Sequence, residues 1–319
     1  MTIYDILEKS VDLGVKCDFR GEKAARDFVW KEIVDSGDGR SFENVYPDTG
    51  IVALSSPLTK QIRRAVVGID VGTADILAML HWSEKTGKEI DLFIGHHPEG
   101  RLNSTFPLIL HSHIGNIAAF GVDVSPLKDK YTELIEDIML DTLSTNFTQI
   151  HDAIHYLGTN YIGLHTPPDN MGARFVQSYL AEKQPRTLQD TIDTMLEIGE
   201  IGHYHGINVV TPVIVSGKPD AELGTYTLTE FTGGEEGPIE VYMELKNQGI
   251  DTIICMHLTE KAVDRCRDIG LQVISTGHMP SDSIGLNLLC DILEAGGVEI
   301  VPVSGFVRIP RPTQSSYTL

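Results

Sequence analysis

Two adjacent histidines, His96 and His97, stand in the stretch GHHP directly after the apolar run DLFI. Imidazole rings at a strand end either bind a metal ion or act as ordinary polar residues that close a buried strand. Histidine recurs at other predicted strand ends, at His165, His257 and His278. Two of these histidines are followed four residues later by an aspartate, Asp169 and Asp282. The sequence therefore supplies several imidazoles and two carboxylates at comparable positions.

This combination favours a metal site. The carboxyl ends of strands in α/β sheets line the ligand crevice, and H-x-x-x-D at a helix start brings both side chains to one side. Imidazole with carboxylate suits zinc, manganese or non-haem iron. The set is too large for one closed structural zinc site and suits two ions joined by a carboxylate or a water. Taken singly, each histidine reads as a strand-end polar residue and each aspartate as a helix N-cap.

The elements that must position these residues alternate between strands and helices. Apolar runs rich in valine and isoleucine predict strands at 64–70, 90–96, 160–165, 207–216, 225–231, 251–257, 271–276 and 298–305. Helical patterns lie between them, including 22–35, 73–87 and 187–198. The alternation predicts an α/β fold with largely parallel strand connections.

A repeat relates the two halves of the chain. Residues 165–182 and 278–295 both read H-x-P-x-D, then glycine three residues on, then an amphipathic helix, and 90–97 parallels 250–257. The alternative is chance similarity between common strand–loop–helix units. We expect two related α/β lobes with mixed, largely parallel sheets that face each other across a metal-binding cleft.

One domain of residues 1–319 then contains both lobes. The first lobe covers roughly 1–180 with a helical insertion at 105–159, and the second covers roughly 205–319.

Composition limits the function classes. Acidic residues number 45 against 25 basic ones, a formal net charge of −20, so nucleic acid and anionic membranes are poor partners. The four cysteines show no CxxC spacing, which predicts reduced core thiols. No signal-like segment or run of about 18 apolar residues is present. We expect a cytoplasmic protein without a membrane span.

Together, GHHP, the H-T-x-x-D stretch at His165–Asp169, and G-H-x-x-x-acid ending at Asp282 resemble the NGG-one-interacting-factor-three-like family, whose members are often labelled GTP cyclohydrolase I type 2 homologues. The resemblance runs in order over roughly residues 45–305 and includes the D-x-x-T turn at Asp70 and Thr73. It implies two metal ions between the lobes and a ring-shaped homohexamer. The ligands that it implies are His96, His97, Asp169, His278 and Asp282.

Two features depart from the family pattern. The last motif usually carries glutamate, and the shorter Asp282 would bridge two ions less easily. The segment between the first two motifs is longer, so the insertion could cap a ring or alter access and substrate choice.

Other polar residues receive weaker assignments. His165 is expected to orient a ligand, and His257 is expected to be a satisfied core histidine. Short pairs of metal-like spacing, which more often are surface features, occur at His111 and His113 and at His203 and His205. The stretch TGGEEG at 232–237 could offer backbone N–H groups to a phosphate, but a plain turn is favoured because it carries two glutamates.

The leading functional hypothesis is metal-dependent hydrolysis of a small molecule. The cofactors would be two divalent ions, Zn, Fe or Mn, and Asp282 or His165 would move the proton. A GTP cyclohydrolase-like ring opening, and hence a nucleotide substrate, is one form of it, and a phosphoester or another cyclic C–N substrate fits equally. The alternative is a non-catalytic metal-binding or regulatory hexameric scaffold.

Overall fold

The fold is known from a computed structural model that describes residues 1–234 and 236–311. Its strands are β1 Glu32–Asp35, β2 Ser41–Asn44, β3 Gly50–Leu54, β4 Arg64–Gly68, β5 Leu92–Gly95, β6 Asn160–Gly163, β7 Val213–Ser216, β8 Tyr226–Thr227, β9 Thr252–Cys255, β10 Gln272–Ser275 and β11 Glu299–Val303.

The helices alternate with these strands. They are α1 Ile3–Cys17, α2 Glu22–Arg26, α3 Thr73–Thr86, α4 Arg101–Thr105, α5 Leu110–Ala119, α6 Lys128–Thr142, α7 Gln149–Leu157, α8 Thr166–Lys183, α9 Leu188–Leu196, α10 Gly199–Gly206, α11 Glu240–Asn247, α12 Glu260–Ile269 and α13 His278–Ala295. Short 3-10 helices occupy Phe106–Ile109, Ser125–Leu127 and Thr229–Phe231. The predicted α/β class is confirmed.

Two sheets repeat one topology. The first has the order β11-β4-β5-β6-β3, and the second has the order β7-β10-β9-β8. In each sheet the earliest strand, β3 or β7, lies antiparallel at one edge, and the other neighbours are parallel. Strands β3 to β6 therefore correspond in chain order and in sheet order to β7 to β10, which is the arrangement that the sequence repeat predicts.

The last strand crosses between the halves of the chain. Strand β11 pairs in parallel with β4 at the edge of the first sheet, although its residues fall in the range assigned to the second lobe. The division of the chain and the division of the sheets therefore differ at this strand. The residue limits of the lobes stay a prediction.

Helices α8 and α13, the two repeated helices, belong to the main core. Their buried residues Met171, Val176, Leu286 and Leu289 share one apolar cluster with residues of both sheets, among them Ile94 in β5 and Ile274 in β10. This layer buries apolar side chains of both sheets at once, and such burial is worth about 25 cal/mol per Å² of apolar surface. It fixes the sheets relative to the helix starts.

The predicted insertion is largely helical. Leu110 in α5 and Tyr131 in α6 pack with Ile253 and Val273 of the second sheet. Ile154 in α7 packs instead with the first sheet. The insertion therefore lies against both lobes.

Three sequence predictions of secondary structure were wrong. The helix expected at 22–35 ends at Arg26, and β1 then pairs antiparallel with β2 through a loop in which Gly37 and Gly39 adopt positive φ. The strand expected at 207–216 is confined to its last four residues, β7, because Pro212 cannot donate a ladder hydrogen bond.

The strand expected at 225–231 also differs. It is reduced to the two residues of β8 and continues as a 3-10 helix. Strands β1, β2 and β3 were not predicted, because their short runs are flanked by polar residues and lack clear alternation.

All four cysteines are free and buried, as expected. Among the described residues, no helix combines the length and apolarity that a bilayer crossing requires.

Candidate metal centre

The histidine pair follows the carboxyl end of β5. The backbone N–H groups of His96 and His97 donate to the carbonyls of two consecutive residues, Gly68 and Ile69, at 2.9 and 3.0 Å. The strand alternation is lost at this point, and the two rings lie 5.4 Å apart between centroids. A Cβ at Gly95 would overlap the Tyr161 side chain, so the close packing of β5 on β6 requires glycine before the pair.

The first group of side chains is almost completely buried. His96 Nε2 lies 3.2 Å from Asp169 Oδ1 and 3.7 Å from Asp282 Oδ1. Asp169 is in the first turn of α8, and Asp282 occupies the corresponding position in α13. The two helices thus bring one carboxylate from each repeat to the same imidazole.

The second group uses the other oxygen of the same aspartate. Asp282 Oδ2 lies 3.3 Å from His97 Nε2 and 3.4 Å from His278 Nε2. The Nε2 atoms of His97 and His278 are 3.2 Å apart. Both groups have ligand atoms close enough to hold a metal ion, and Asp282 belongs to both.

Four buried atoms of these groups have no hydrogen-bond partner and are suitable ligands for a metal ion. His96 Nε2, Asp169 Oδ1 and both carboxylate oxygens of Asp282 are buried without a hydrogen-bond partner. His96 Nδ1 lies 3.0 Å from the Leu164 carbonyl, which can only accept. In a neutral His96 the proton is therefore on Nδ1, and the Nε2 lone pair faces the carboxylates. A cation between these acceptors satisfies them.

The pKa shifts in the same cluster reflect the pairing of its imidazoles with its carboxylates. Burial alone would lower the pKa of His96, but the carboxylates of Asp169 and Asp282 raise it well above its usual value. Burial alone would raise the pKa of Asp282, but His96 and His97 hold it below its usual value. Burial lowers the pKa of His278. The acidic charge of the site is thus balanced by protons or by metal ions.

His97 is oriented by the exposed carboxylate of Asp70, which belongs to neither ligand group. Its Nδ1 lies 2.5 Å from Oδ1 of Asp70, the first residue of the D-x-x-T turn. Because a carboxylate accepts, Nδ1 donates and Nε2 is left free for a metal ion.

His165 is held in the same way by Asp48. Its Nδ1 lies 2.8 Å from Asp48 Oδ2, while its Nε2 lies 3.7 Å from Asp169 Oδ2. Thr166 also donates to Asp48, at 2.6 Å. Asp48 is fully buried and was not predicted as a site residue. The sequence shows it only as an acidic residue in the short stretch YPDTG, which does not indicate a role in the site. His165 could also join His96 and His97 in holding an ion.

The N-cap interpretation of the two aspartates is wrong. The N-cap of α8 is His165 and that of α13 is Gly277, and neither helix start has a side-chain cap hydrogen bond. Asp169 lies inside the first turn of α8, Asp282 is the fifth residue of α13, and both side chains contact the cluster.

The remaining histidines lie outside these groups. His257 is exposed, and its ring stands 4.7 Å from that of His278, so the satisfied core position expected for it is wrong. His203 stacks edge-on against Tyr204, and His205 Nδ1 donates to the Thr211 carbonyl at 3.1 Å.

The pair in the insertion separates. Burial lowers the pKa of His111, whereas His113 is fully buried and faces Glu230. In the TGGEEG stretch, Glu235 lies outside the described residues, and Glu236 accepts from Thr259. Sequence reasoning did not single out Glu230.

Two adjoining cavities border the cluster. The larger, of about 380 Å³, is lined by His97, Pro98, Asn103, Phe106, His165, Gly234, His257 and His278. A recess of about 40 Å³ is lined by His165, Asp169, Glu230, Phe231, Thr232, Gly234, Glu236, Met256, His257, His278 and Asp282. The candidate ligands therefore face space that a small molecule can enter.

Comparison with known proteins identifies the fold. No family model and no curated protein matches the chain. A NIF3 superfamily protein from Sphaerobacter thermophilus superposes with a TM-score of 0.71 at 23% identity, over 94% of this chain and 98% of that one. A Thermus thermophilus protein follows at TM-score 0.48 and 14% identity, over 99% and 100%. Reduced HcgD from Methanocaldococcus jannaschii gives 0.46 and 14%, over 80% and 88%. The fold assignment rests on the superposition with the Sphaerobacter thermophilus protein.

Proposed function

On the premise that this chain has the NIF3 superfamily fold, we propose that it is a metal-dependent hydrolase of a small molecule. Two divalent ions, Zn, Fe or Mn, would be held between the repeats by His96, His97, Asp169, His278 and Asp282. The observation that supports this most strongly is that four buried ligand atoms of His96, Asp169 and Asp282 lie close together without hydrogen-bond partners, and that both carboxylates line a recess.

Asp282 is the central ligand of this proposal. Its two oxygens face different histidines, so one carboxylate serves both groups. Ions bound there would act as Lewis acids. They would lower the pKa of a bound water molecule to near neutrality. The buried site excludes bulk water from one side, while the side chain of His278, which is 41% exposed, leaves the other side open to the cavity.

His165 is the residue best placed to move a proton. Asp48 accepts from its Nδ1, which leaves Nε2 as the atom that takes up and returns a proton at the cavity wall. Asp282 was the other candidate for this role, but both of its oxygens would bind the metal ions, so we assign the proton transfer to His165.

The substrate screen that tests the proposal uses metal-loaded protein with nucleotides, phosphoesters and cyclic amides. We expect turnover of at least one compound, abolished in Asp282→Ala and retained in Asp137→Ala, an exposed acid on α6. Turnover unchanged in Asp282→Ala would overturn the proposal. Stable metal binding without turnover of any compound would favour the non-catalytic scaffold instead. The homohexamer that the family resemblance implies, and the cytoplasmic location expected from the sequence, are part of the same proposal.

A further inference from the structure

Glu230 is a buried carboxylate at the edge of the same site. It lies in the 3-10 helix that follows β8, and its side chain is 2% exposed. The residue lines the small recess together with Asp169, His278 and Asp282. Its Oε1 atom has no hydrogen-bond partner. A buried carboxylate oxygen without a donor is unfavourable, and more so when charged, so it marks a place where a donor can bind.

Among the described residues, His113 is the one ion-pair partner of Glu230. His113 Nε2 lies 3.5 Å from Glu230 Oε1 but makes no hydrogen bond, and it too is unpartnered. The other ring nitrogen, Nδ1, lies 2.8 Å from the Tyr131 hydroxyl. The insertion therefore places an imidazole beside the carboxylate without satisfying it.

Two glycines that follow Glu230, Gly233 and Gly237, pack closely against these insertion residues. A Cβ on Gly233, whose φ is +101°, would stand 3.0 Å from the His113 Cβ, and one on Gly237 would stand 2.7 Å from the Tyr131 hydroxyl. Larger residues at either position would force the stretch away from α5 and α6. Close packing thus holds Glu230 at a fixed place in the recess wall.

The charges around both cavities indicate what could bind. The described lining residues include the carboxylates of Asp169, Glu230, Glu236 and Asp282 but no lysine or arginine. A polyphosphate would have no cationic side chain to pair with there. Phe106 is an aromatic lining residue of the larger cavity, and aromatic side chains pack favourably with planar rings.

We propose that Glu230 is a specificity-determining residue whose carboxylate accepts hydrogen bonds from the N–H groups of a neutral or cationic nitrogen-containing ring. The ring would occupy the larger cavity, with its N–H edge reaching into the recess. This inference rests on the proposed function, because it names the substrate class of the same site.

The test measures ligand binding and metal content separately. The probe is 2-aminopyrimidin-4-one, a neutral ring with adjacent ring N–H and amino donors, titrated calorimetrically into metal-loaded protein. We expect the ring to bind, and Glu230→Gln to weaken it about 10–100-fold, because a lost hydrogen bond to a charged acceptor is worth about 1.5–3 kcal/mol. Glu240→Gln, at an exposed position on α11, is the matched control and should bind as the unaltered protein does.

Two results would overturn the inference. They are no binding of the ring at millimolar concentration and equal binding in Glu230→Gln. In each case an unchanged metal content together with turnover in the substrate screen would leave the proposed hydrolase standing. Failure of that proposal shows instead as absent metal, or as turnover that survives Asp282→Ala.

Discussion

A Cβ placed on Gly172 would stand 3.2 Å from the backbone nitrogen of Gly285. These are the corresponding glycines of the two repeats, so α8 and α13 cross at equivalent points. Each glycine stands three residues after its aspartate. The crossing therefore brings Asp169 and Asp282 to the same ring nitrogen of His96 and ties the geometry of the site to the contact between the helices.

Gly285→Ala should destabilise the protein. The added methyl would overlap the Pro168 carbonyl oxygen, and overpacking of this kind costs about 1–3 kcal/mol, which outweighs the gain of about 1 kcal/mol in helix propensity. Chemical denaturation measures the change in the free energy of unfolding. Gly206→Ala at the end of α10, where nothing lies within 4 Å of the new Cβ, is the control and should be neutral or stabilising. Equal stability of the two variants would show that the crossing is not tight.

Sequence patterns predicted the parts of this site that repeat. Both halves of the chain contain a strand, then H-x-P-x-D, then a glycine. This order predicted that the two sheets share one topology and that Asp169 and Asp282 lie close together. The partners that orient the histidines were harder to predict. Asp48 and Glu230 reach the site through folding of distant segments, and no local spacing links them to His165 or His113.

Asp48→Asn should weaken the function of His165 without unfolding the chain. The amide keeps the shape but removes the charge that fixes the Nδ1 proton. Losses of this type reduce metal affinity or activity about 10–100-fold. Metal titration and turnover should both be measured, with the exposed Asp27→Asn as control. Unaltered values in Asp48→Asn would mean that His165 takes no part in the site.

Asp282→Glu tests the effect of side-chain length at the position where this chain has aspartate and the family pattern has glutamate. Both oxygens of Asp282 already lie within 3.3–3.7 Å of their histidines, and its side chain is 1% exposed. An extra methylene at this buried, closely packed position should lower the free energy of unfolding by about 1–3 kcal/mol and weaken metal binding. Tighter metal binding in the glutamate variant, measured by competition with a chelator, would show that the shorter side chain is a handicap.

The cysteines should be inert in the folded protein. Burial raises the pKa of Cys266 to about 12 and that of Cys17 to about 11, and it also raises the pKa of Cys255 and Cys290. Since the thiolate is the reactive form, a thiol reagent at pH 8 should label none of the four cysteines in native protein and all four after denaturation. Rapid labelling of native protein would contradict this burial.

The number of metal ions per chain tests the central claim most directly. Protein loaded with zinc, manganese or ferrous iron and then freed of excess metal is measured by elemental analysis. We predict two ions per chain in the unaltered protein, one in His278→Ala, which disrupts only the second group, and none in Asp282→Ala, which removes the shared carboxylate. An unaltered protein without bound metal, or an Asp282→Ala variant that keeps both ions, would contradict the account.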